Sequence, residues 1–243
     1  MTAPLFLLET LADPLPAVGA TLELGGDEGR HAAVVRRIAA GEQVLVADGR
    51  GRGVRAEVTV AAKTGLTLRV LEHLAGTGRP LRVVVVQALA KGDRSELAIE
   101  MLTELGVDEI APWSAARSIV RWSGERADKS LGRWRSTVRE AAKQSRRLTV
   151  PTVSEPVTTK QLAARVGQVE LALVLHEDAT QPLAAVPLPE AGTVLLVVGP
   201  EGGITPDELA AFAAAGARTV TISDGVLRTS TAGVVALAGL LLR

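Results

Sequence analysis

The 243-residue sequence has no cysteine and no tyrosine, and it has only three tryptophans and two phenylalanines. Without cysteine the chain can form no disulfide bond, no thiolate nucleophile and no cysteine-based zinc site. The three histidines, His31, His73 and His176, are scattered without the spacing of metal ligands, so we predict no metal site. With so few aromatic side chains, any contact with a nucleic acid would depend on Arg, Lys and backbone groups more than on stacking.

Long apolar runs are also missing from the sequence. No stretch of about 18 uncharged apolar residues is present, which predicts that no helix spans a membrane. The N-terminus has no basic region and reaches an acidic residue at Glu9, unlike a secretory signal peptide. Because hydrophobic residues make up 47% of the chain, we expect an ordered protein with a buried core, located in the cytoplasm.

Charge is balanced overall, with 27 basic and 27 acidic residues, but it is unevenly distributed. Residues 113–147 carry ten basic and three acidic residues, a local excess of seven positive charges. Four of these cations recur every four residues along one face of a helix predicted over residues 127–147, and they are Arg135, Arg139, Lys143 and Arg147. Such a line is compatible with a phosphate backbone and equally with an ordinary solvated helix face.

The first 74 residues are typical of a small β domain. Short stretches rich in β-branched residues predict strands at 44–46, 54–60 and 66–70. The first two are joined by the turn-rich sequence DGRGRG (48–53), which suits a hairpin. One helical pattern lies between Asp27 and Ala40. We therefore predict a small β-barrel with one helix, followed by a linker.

From residue 80 onward, apolar runs alternate with helical patterns. Near-continuous apolar runs are typical of parallel strands that are buried on both faces, so this region is predicted to be an α/β domain. The predicted strands are LRVVVVQAL (81–89), LALVL (171–175), TVLLVV (193–198) and RTVTI (218–222). Between them, Asp93 and Thr205 are predicted helix caps, and the sequence Thr205-Pro206-Asp207-Glu208 has the pattern of a capping box.

Three loops follow the last three predicted strands, and ligands of α/β sheets bind beyond the carboxyl ends of strands. These loops begin at His176, at Gly199 and at Ser223. The glycines of the second loop, GPEGG, would let the backbone approach a flat ligand closely. Neither G-x-x-x-x-G-K-[ST] nor G-x-G-x-x-G is present, so the sequence does not indicate a phosphate-binding loop or a dinucleotide-binding enzyme. A glycine-rich loop alone is also compatible with a tight strand-to-helix turn.

The last two of these loops carry a more specific pattern. VVGPEGGITPDELAAF (197–212) followed by ISDGVLRTSTAGVVAL (222–237) resembles the paired cofactor loops of SPOUT methyltransferases. Three further segments make the chain similar to the 16S rRNA (uracil(1498)-N(3))-methyltransferase family, in the family's order and over nearly the whole chain. They are GDEGRHAAVVRRIAAGEQVLVADGRG (26–51), QALAKGDRSELAIEMLTELGVDEIAPWSAARSIV (87–120) and RWRSTVREAAKQSRRLTVPTV (133–153).

The resemblance implies a fold and a cofactor. It implies a PUA-like β-barrel over residues 1–74 and a SPOUT α/β domain over residues 80–243, with a deep trefoil knot over about 171–243. S-adenosylmethionine would lie in the knot, and the enzyme would act as a homodimer. By position, the implied cofactor-binding residues are Leu175, His176, Glu177, Val198, Gly199, Glu201, Gly203, Ile222, Leu227, Arg228, Thr229 and Ala232.

Two of these residues are candidates for catalysis. Arg228 would stabilise the negative charge that develops on a uracil, or it would pair with Glu201 or a helix C-terminus and brace the knot. Glu201 would act as a base, or it would only fix the loop by accepting backbone hydrogen bonds. For His31 and His176 a structural role is favoured over a catalytic one.

The implied partner is 16S rRNA in the small ribosomal subunit. The predicted RNA contacts are Arg30, Arg36, Lys91, Arg94, Arg117, Arg121, Arg139, Lys143, Arg146 and Arg147. Two alternatives stay open at this point: a SPOUT methyltransferase that acts on another RNA, and a non-catalytic RNA-binding factor of ribosome assembly. The intact GPEGG and LRTSTA loops favour an enzyme over the second alternative.

Overall fold

The computed structural model describes residues 3–76 and 78–243, which form two compact units. One unit comprises the chain up to Gly78 together with Glu140–Val150, and the other comprises Arg79–Arg139 and Pro151–Arg243. The sequence pattern did not indicate that residues 140–150 group with the N-terminal unit. Among the described residues, no helix combines the length and the apolar character that crossing a bilayer requires.

The N-terminal unit is built on a five-stranded sheet. Its strands are β1 (Leu5–Leu7), β2 (Thr21–Leu24), β3 (Gln43–Ala47), β4 (Arg52–Ala62) and β5 (Gly65–Ala75). Their order in the sheet is β1-β3-β4-β5-β2, with β1 parallel to β3 and the other pairs antiparallel. The helix predicted between Asp27 and Ala40 is shorter than expected. It consists of α1 (Gly26–Arg30) and a π-helical segment, His31–Val35, and so ends at Val35.

The hairpin predicted at DGRGRG is present, and Asp48 determines its shape. The Asp48 carboxylate is buried and accepts hydrogen bonds from the backbone N–H of Arg50 at 2.7 Å and of Arg52 at 3.1 Å. Burial by itself raises the pKa of Asp48, but these bonds and the Arg52 guanidinium outweigh it and lower the pKa. The charged carboxylate therefore holds the turn between β3 and β4 in place.

The second unit contains a seven-stranded sheet in which every strand pair is parallel. Its strands are β6 (Leu81–Ala88), β7 (Glu109–Ser114), β8 (Thr152–Val153), β9 (Val157–Thr158), β10 (Leu171–Leu175), β11 (Gly192–Val198) and β12 (Arg218–Val220). The order is β12-β10-β11-β6-β7-β8, and β9 pairs with β7 further along. The four strands predicted from apolar runs are all present, whereas β7, β8 and β9 had not been predicted.

Five α-helices are described in the part of the chain that forms this sheet. They are α2 (Arg94–Leu105), α3 (Glu125–Gln144), α4 (Thr159–Val166), α5 (Pro206–Ala214) and α6 (Thr229–Leu241). The capping box predicted at the start of α5 is confirmed, since Thr205 and Glu208 exchange hydrogen bonds between side chain and backbone. Asp93 is the N-cap residue of α2 as predicted, but its side chain forms no capping hydrogen bond.

Both faces of the parallel sheet are buried. On one face, Val86, Val174 and Val197 pack with Leu162 of α4 and Phe212 of α5 in a single apolar cluster. On the other face α6 lies so close that a Cβ added at Gly233 would be 3.1 Å from the Val198 side chain. Helices therefore cover both faces, and the loops at the carboxyl ends of the strands are left for binding.

A close backbone contact in the N-terminal unit gives a first testable prediction. Any Cβ on Gly29 would overlap the carbonyl oxygen of Leu24 and lie 3.0 Å from Cα of Gly65. We expect Gly29→Ala to lower the free energy of unfolding by about 1–3 kcal/mol, the usual cost of overpacking. Gly25→Ala is the matched control, because that residue is extended and has open space at its Cβ position. Equal urea midpoints for the two variants would contradict the prediction.

Candidate active site

A cavity of about 720 Å³ lies at the carboxyl ends of β10, β11 and β12. The three loops that follow these strands form most of its wall, as the sequence predicted. Arg94 and Arg117, which follow β6 and β7, also line it, as do Pro206 and Leu209 of α5. All twelve residues predicted to bind the cofactor lie on this one cavity: Leu175, His176, Glu177, Val198, Gly199, Glu201, Gly203, Ile222, Leu227, Arg228, Thr229 and Ala232.

The glycines of the GPEGG loop (199–203) have specific steric roles. A Cβ on Gly199 would lie 2.8 Å from Cγ1 of Ile204, so a larger residue there would require Ile204 to shift. Gly203 has a φ of +74°, which L side chains rarely adopt. The loop therefore presents backbone groups to the cavity, and the apolar side chains of Leu175, Val198 and Leu227 lie beside them.

A buried hydrogen-bond chain links this loop to α6 and β6. The Thr229 hydroxyl donates a hydrogen bond to the Gly199 carbonyl. Gln87, which is fully buried at the end of β6, donates through Nε2 to the Thr229 hydroxyl at 3.3 Å. Gln87 was not predicted as a site residue. A lone amide in the apolar run LRVVVVQAL is nevertheless a signal, because buried polar groups need partners.

The candidate carboxylate Glu201 has a structural contact. Its side chain is exposed, and Oε1 accepts a hydrogen bond from the backbone N–H of Lys91 at 3.2 Å. Glu201 thus joins the GPEGG loop to the turn after β6. The other candidate, Arg228, is exposed at the N-cap of α6. Within the described residues its guanidinium has no hydrogen-bond or ion-pair partner, and the proposed pairing with Glu201 is not formed.

The histidines have structural surroundings. Nδ1 of His176 accepts a hydrogen bond from the backbone N–H of Asp178 at 3.2 Å, which shapes the loop after β10. The ring of His31 lies edge-on to Phe6, with ring centroids 6.4 Å apart. In the described part of the chain, no three metal-ligating side chains cluster together.

Glu208 is the most highly connected carboxylate next to the cavity. It is 4% exposed, and Oε2 accepts from the Thr205 backbone and hydroxyl, both at 3.0 Å. Oε1 accepts from the Ala116 backbone N–H at 2.8 Å and from the Thr159 hydroxyl at 3.0 Å. Burial alone raises the pKa of Glu208, but these four hydrogen bonds outweigh it and lower the pKa. The sequence indicated the capping box and not the two additional contacts.

The ten predicted RNA contacts are divided between the two units. Five belong to the C-terminal unit, where Arg94 and Arg117 line the cavity and Lys91 is exposed beside it. Arg121 and Arg139 are the other two of these five. In the N-terminal unit, Arg36 is exposed and Arg30 pairs with Asp27. The remaining three, which follow residue 140, are Lys143, Arg146 and Arg147.

The predicted line of four cations on α3 is not a row of exposed charges. The Lys143 side chain is 8% exposed, and its ammonium pairs with Glu28 and Glu140, both at 3.1 Å. Arg135 donates to the Val153 carbonyl and pairs with Glu155. The helix ends at Gln144, so Arg147 lies beyond it. The periodicity located a polar face but did not reveal that acidic side chains already pair with part of it.

Comparison with known families defines the class of protein. The sequence model described as an RNA methyltransferase domain matches residues 77–241, and the model described as an RNA methyltransferase PUA domain matches residues 24–71. With the parallel sheet and the cavity at its carboxyl edge, these matches define the chain as an RNA methyltransferase with an N-terminal PUA domain. The predicted α/β methyltransferase fold and the PUA-like domain are confirmed.

Individual relatives narrow the family. The ribosomal RNA small subunit methyltransferase E of Mycobacterium bovis is 49% identical over 241 residues, which cover 98% of this chain and 90% of that protein. The Bacillus subtilis protein of the same name is 30% identical over 228 residues, covering 90% of this chain and 89% of that protein. The chain belongs to the ribosomal RNA small subunit methyltransferase E family.

A solved structure agrees with this assignment. The ribosomal RNA small subunit methyltransferase E of Neisseria gonorrhoeae, bound to S-adenosylmethionine, has a TM-score of 0.86 at 28% identity. The superposition covers 99% of this chain and 98% of that chain. A Legionella pneumophila methyltransferase in complex with S-adenosylmethionine also has a TM-score of 0.86 and 28% identity, covering 100% and 98% of the two chains.

The Glu208 network predicts how stability depends on pH. A carboxylate whose pKa is lowered by folding stabilises the folded state above its unfolded-state pKa, here ordinarily 4.5. This stabilisation is lost as the pH falls through the lower pKa of the folded protein. We expect Glu208→Gln to have a lower unfolding temperature than the wild type at pH 7, and the difference to shrink below about pH 4.5.

Asp207→Asn serves as the control for this measurement, because Asp207 is exposed in the same helical turn. Its unfolding temperature should stay close to that of the wild type across the same pH series. A Glu208→Gln difference that is constant with pH would show that the charge of Glu208 contributes nothing.

Proposed function

We propose that this protein acts in the cytoplasm and transfers a methyl group from S-adenosylmethionine to N3 of the uridine at position 1498 of 16S rRNA in the small ribosomal subunit. The observation that carries the proposal is the convergence of all twelve predicted cofactor residues on one cavity. Membership of the small subunit methyltransferase E family supports the class of substrate.

The cavity fits the cofactor in size and chemistry. Its volume of about 720 Å³ lies in the usual range of small-molecule sites. Apolar side chains of Leu175, Val198 and Ile222 suit a flat adenine, and the backbone of the GPEGG loop suits its hydrogen-bonding edge. When bound, S-adenosylmethionine supplies an activated methyl group on a sulfonium. The protein's contribution is then to position the acceptor in line, which can supply roughly 7–11 kcal/mol of barrier reduction.

The acceptor atom determines what else the site must do. N3 of uracil exposes a lone pair only after its proton leaves, and with no side chain assigned as the base that proton passes to solvent water. The site must therefore favour the uracil anion. Arg228 lines the cavity, is exposed and keeps its guanidinium without a partner among the described residues. We assign to it the stabilisation of negative charge on the uracil oxygens. Glu201 we assign to holding the loop, because its carboxylate already accepts the Lys91 N–H.

The path of the chain around the cavity supports a knot. Thr221, just after β12, exchanges backbone hydrogen bonds with Gln181 and Leu183, both at 2.8–2.9 Å. Arg243, at the end of the chain, donates to the carbonyls of Leu183 and Val186. The last helix thus returns to the segment between β10 and β11, and we infer that α6 is the part that threads the trefoil.

A homodimer is the assembly that we propose. A second, mostly apolar cavity of about 480 Å³ lies beside α6 and includes Leu183 and Val235. Val235 is 39% exposed on α6, and Val226 is 77% exposed in the loop before it. A second copy of the chain would cover this apolar surface, next to the cofactor cavity.

Methyl transfer to small ribosomal subunits tests the proposed function directly. Subunits from cells that lack the native enzyme would be incubated with labelled S-adenosylmethionine, and the modified nucleoside would be mapped by mass spectrometry. We expect N3-methyluridine at the single position 1498. Free 16S rRNA is the matched substrate control, which shows whether assembly of the subunit is needed.

Each other result of this experiment favours an alternative. Transfer to a different nucleoside, or only to another RNA, would identify a methyltransferase with a different target. If the protein binds S-adenosylmethionine but transfers the methyl group to no RNA tested, then 16S rRNA is not its substrate. Neither binding nor transfer would favour the non-catalytic assembly factor.

Arg228→Ala tests the assigned catalytic role. Loss of one donor to a developing negative charge usually lowers turnover about 100-fold, and we expect that effect on kcat at saturating S-adenosylmethionine. Arg218→Ala is the control, since Arg218 is an exposed arginine on β12 outside the cavity lining. Turnover of Arg228→Ala near that of Arg218→Ala would refute the role.

A further inference from the structure

Arg117 contacts the glycine-rich loop through both its side chain and its backbone. Its Nη1 donates to the Gly202 carbonyl at 3.2 Å. A Cβ on Gly202 would lie 3.0 Å from Cβ of Arg117 and 3.1 Å from the Arg117 carbonyl oxygen. A larger residue at position 202 would therefore crowd Arg117, and the loop contacts Arg117 through this glycine.

The buried carboxylate of Glu208 holds the chain immediately before Arg117. The same group that caps α5 at Thr205 accepts the N–H of Ala116 at 2.8 Å. Helix capping requires the contact with Thr205 but not the one with Ala116. Through these two contacts Glu208 joins Thr205, two residues after the GPEGG loop, to Ala116, the residue before Arg117. The contact joins the loop after β7 to the loop after β11, since Arg117 and Gly202 are 85 residues apart in sequence.

We propose that Arg117, held by Glu208, is a positioning residue that sets the shape of the cofactor loop. The proposal rests on the proposed function, in which the GPEGG loop contacts S-adenosylmethionine. It differs from the role that the sequence suggested for Arg117, which was contact with RNA. A cation that supports the Gly202 carbonyl acts on the cofactor before any RNA is present, so the two roles can be separated.

The first experiment measures S-adenosylmethionine binding by calorimetry in the absence of RNA. Hydrogen bonds to charged groups contribute modestly when exposed, so Arg117→Ala should weaken binding about 5- to 10-fold. Arg36→Ala is the matched control, because Arg36 is exposed in the N-terminal unit and is also a predicted RNA contact. That variant should leave cofactor affinity unchanged and reduce the salt dependence of RNA binding.

The second experiment is a double-mutant cycle of Arg117→Ala with Glu208→Gln, again read out as cofactor affinity. If Glu208 acts through Arg117, the double variant binds about as weakly as the weaker single variant. Losses that multiply independently would overturn the part assigned to Glu208. Because Arg117 is exposed, Arg117→Ala is expected to fold even if Glu208→Gln is destabilised.

The outcomes distinguish this proposal from the proposed function. Unchanged cofactor affinity in Arg117→Ala, with a reduced salt dependence of RNA binding, would overturn the positioning role and restore the RNA contact. A wild-type protein that binds no S-adenosylmethionine would instead refute the proposed function, and the positioning role with it.

Discussion

Burial of the parallel sheet on both faces constrains the whole C-terminal unit. The strands carry almost only apolar side chains, so α4 and α5 cover one face and α6 the other. A polar side chain between these layers costs free energy unless it has a hydrogen-bond partner. Groups that could perform chemistry are therefore confined to the loops at the carboxyl edge of the sheet, where the cavity lies.

The few polar groups that do enter the layers connect the loops to one another. Gln87 reaches Thr229 and, through it, the Gly199 carbonyl, so β6, β11 and α6 are joined behind the cavity. Glu208 performs the same task on the other side, between α5 and the loop after β7. The Glu208 contacts satisfy both carboxylate oxygens, whereas Oε1 of Gln87 is buried without a hydrogen-bond partner among the described residues. Satisfied buried contacts of this kind give a loop one defined shape.

Much of the fold could be predicted from the sequence, because its strongest signals are local. Runs such as LALVL predicted buried parallel strands, and Thr205 to Glu208 predicted a helix start that is present. Strand β7 could not be predicted in this way, since Pro112 normally argues against a strand. Its neighbours explain the exception: β8 pairs with Glu109 and Ile110, β9 pairs with Trp113 and Ser114, and Pro112 falls in the gap.

The candidate site, like the fold, has features that could be predicted from local sequence and contacts that could not. Residues of the three loops were predicted from motif order, and all twelve line the cavity. Contacts between segments distant in sequence were not predictable: Lys143 pairs with Glu28, 115 residues away, and Arg117 meets Gly202. Spacing within a helix shows which residues share a face, but it does not show which acidic group from another segment lies against that face.

Helix α3 begins in the C-terminal unit and ends in the N-terminal one, and this has a consequence for how the gene can be rearranged. Leu148 and Val150, which follow the helix, pack against the apolar cluster of Leu5, Leu7 and Ala47. A coding segment that stops at Gly78 would leave this cluster uncovered. The N-terminal unit of this protein is therefore encoded by two separate segments of the gene. A recombination event that moved it intact would need breakpoints after residues 78, 139 and 150, whereas a simple fusion needs only one.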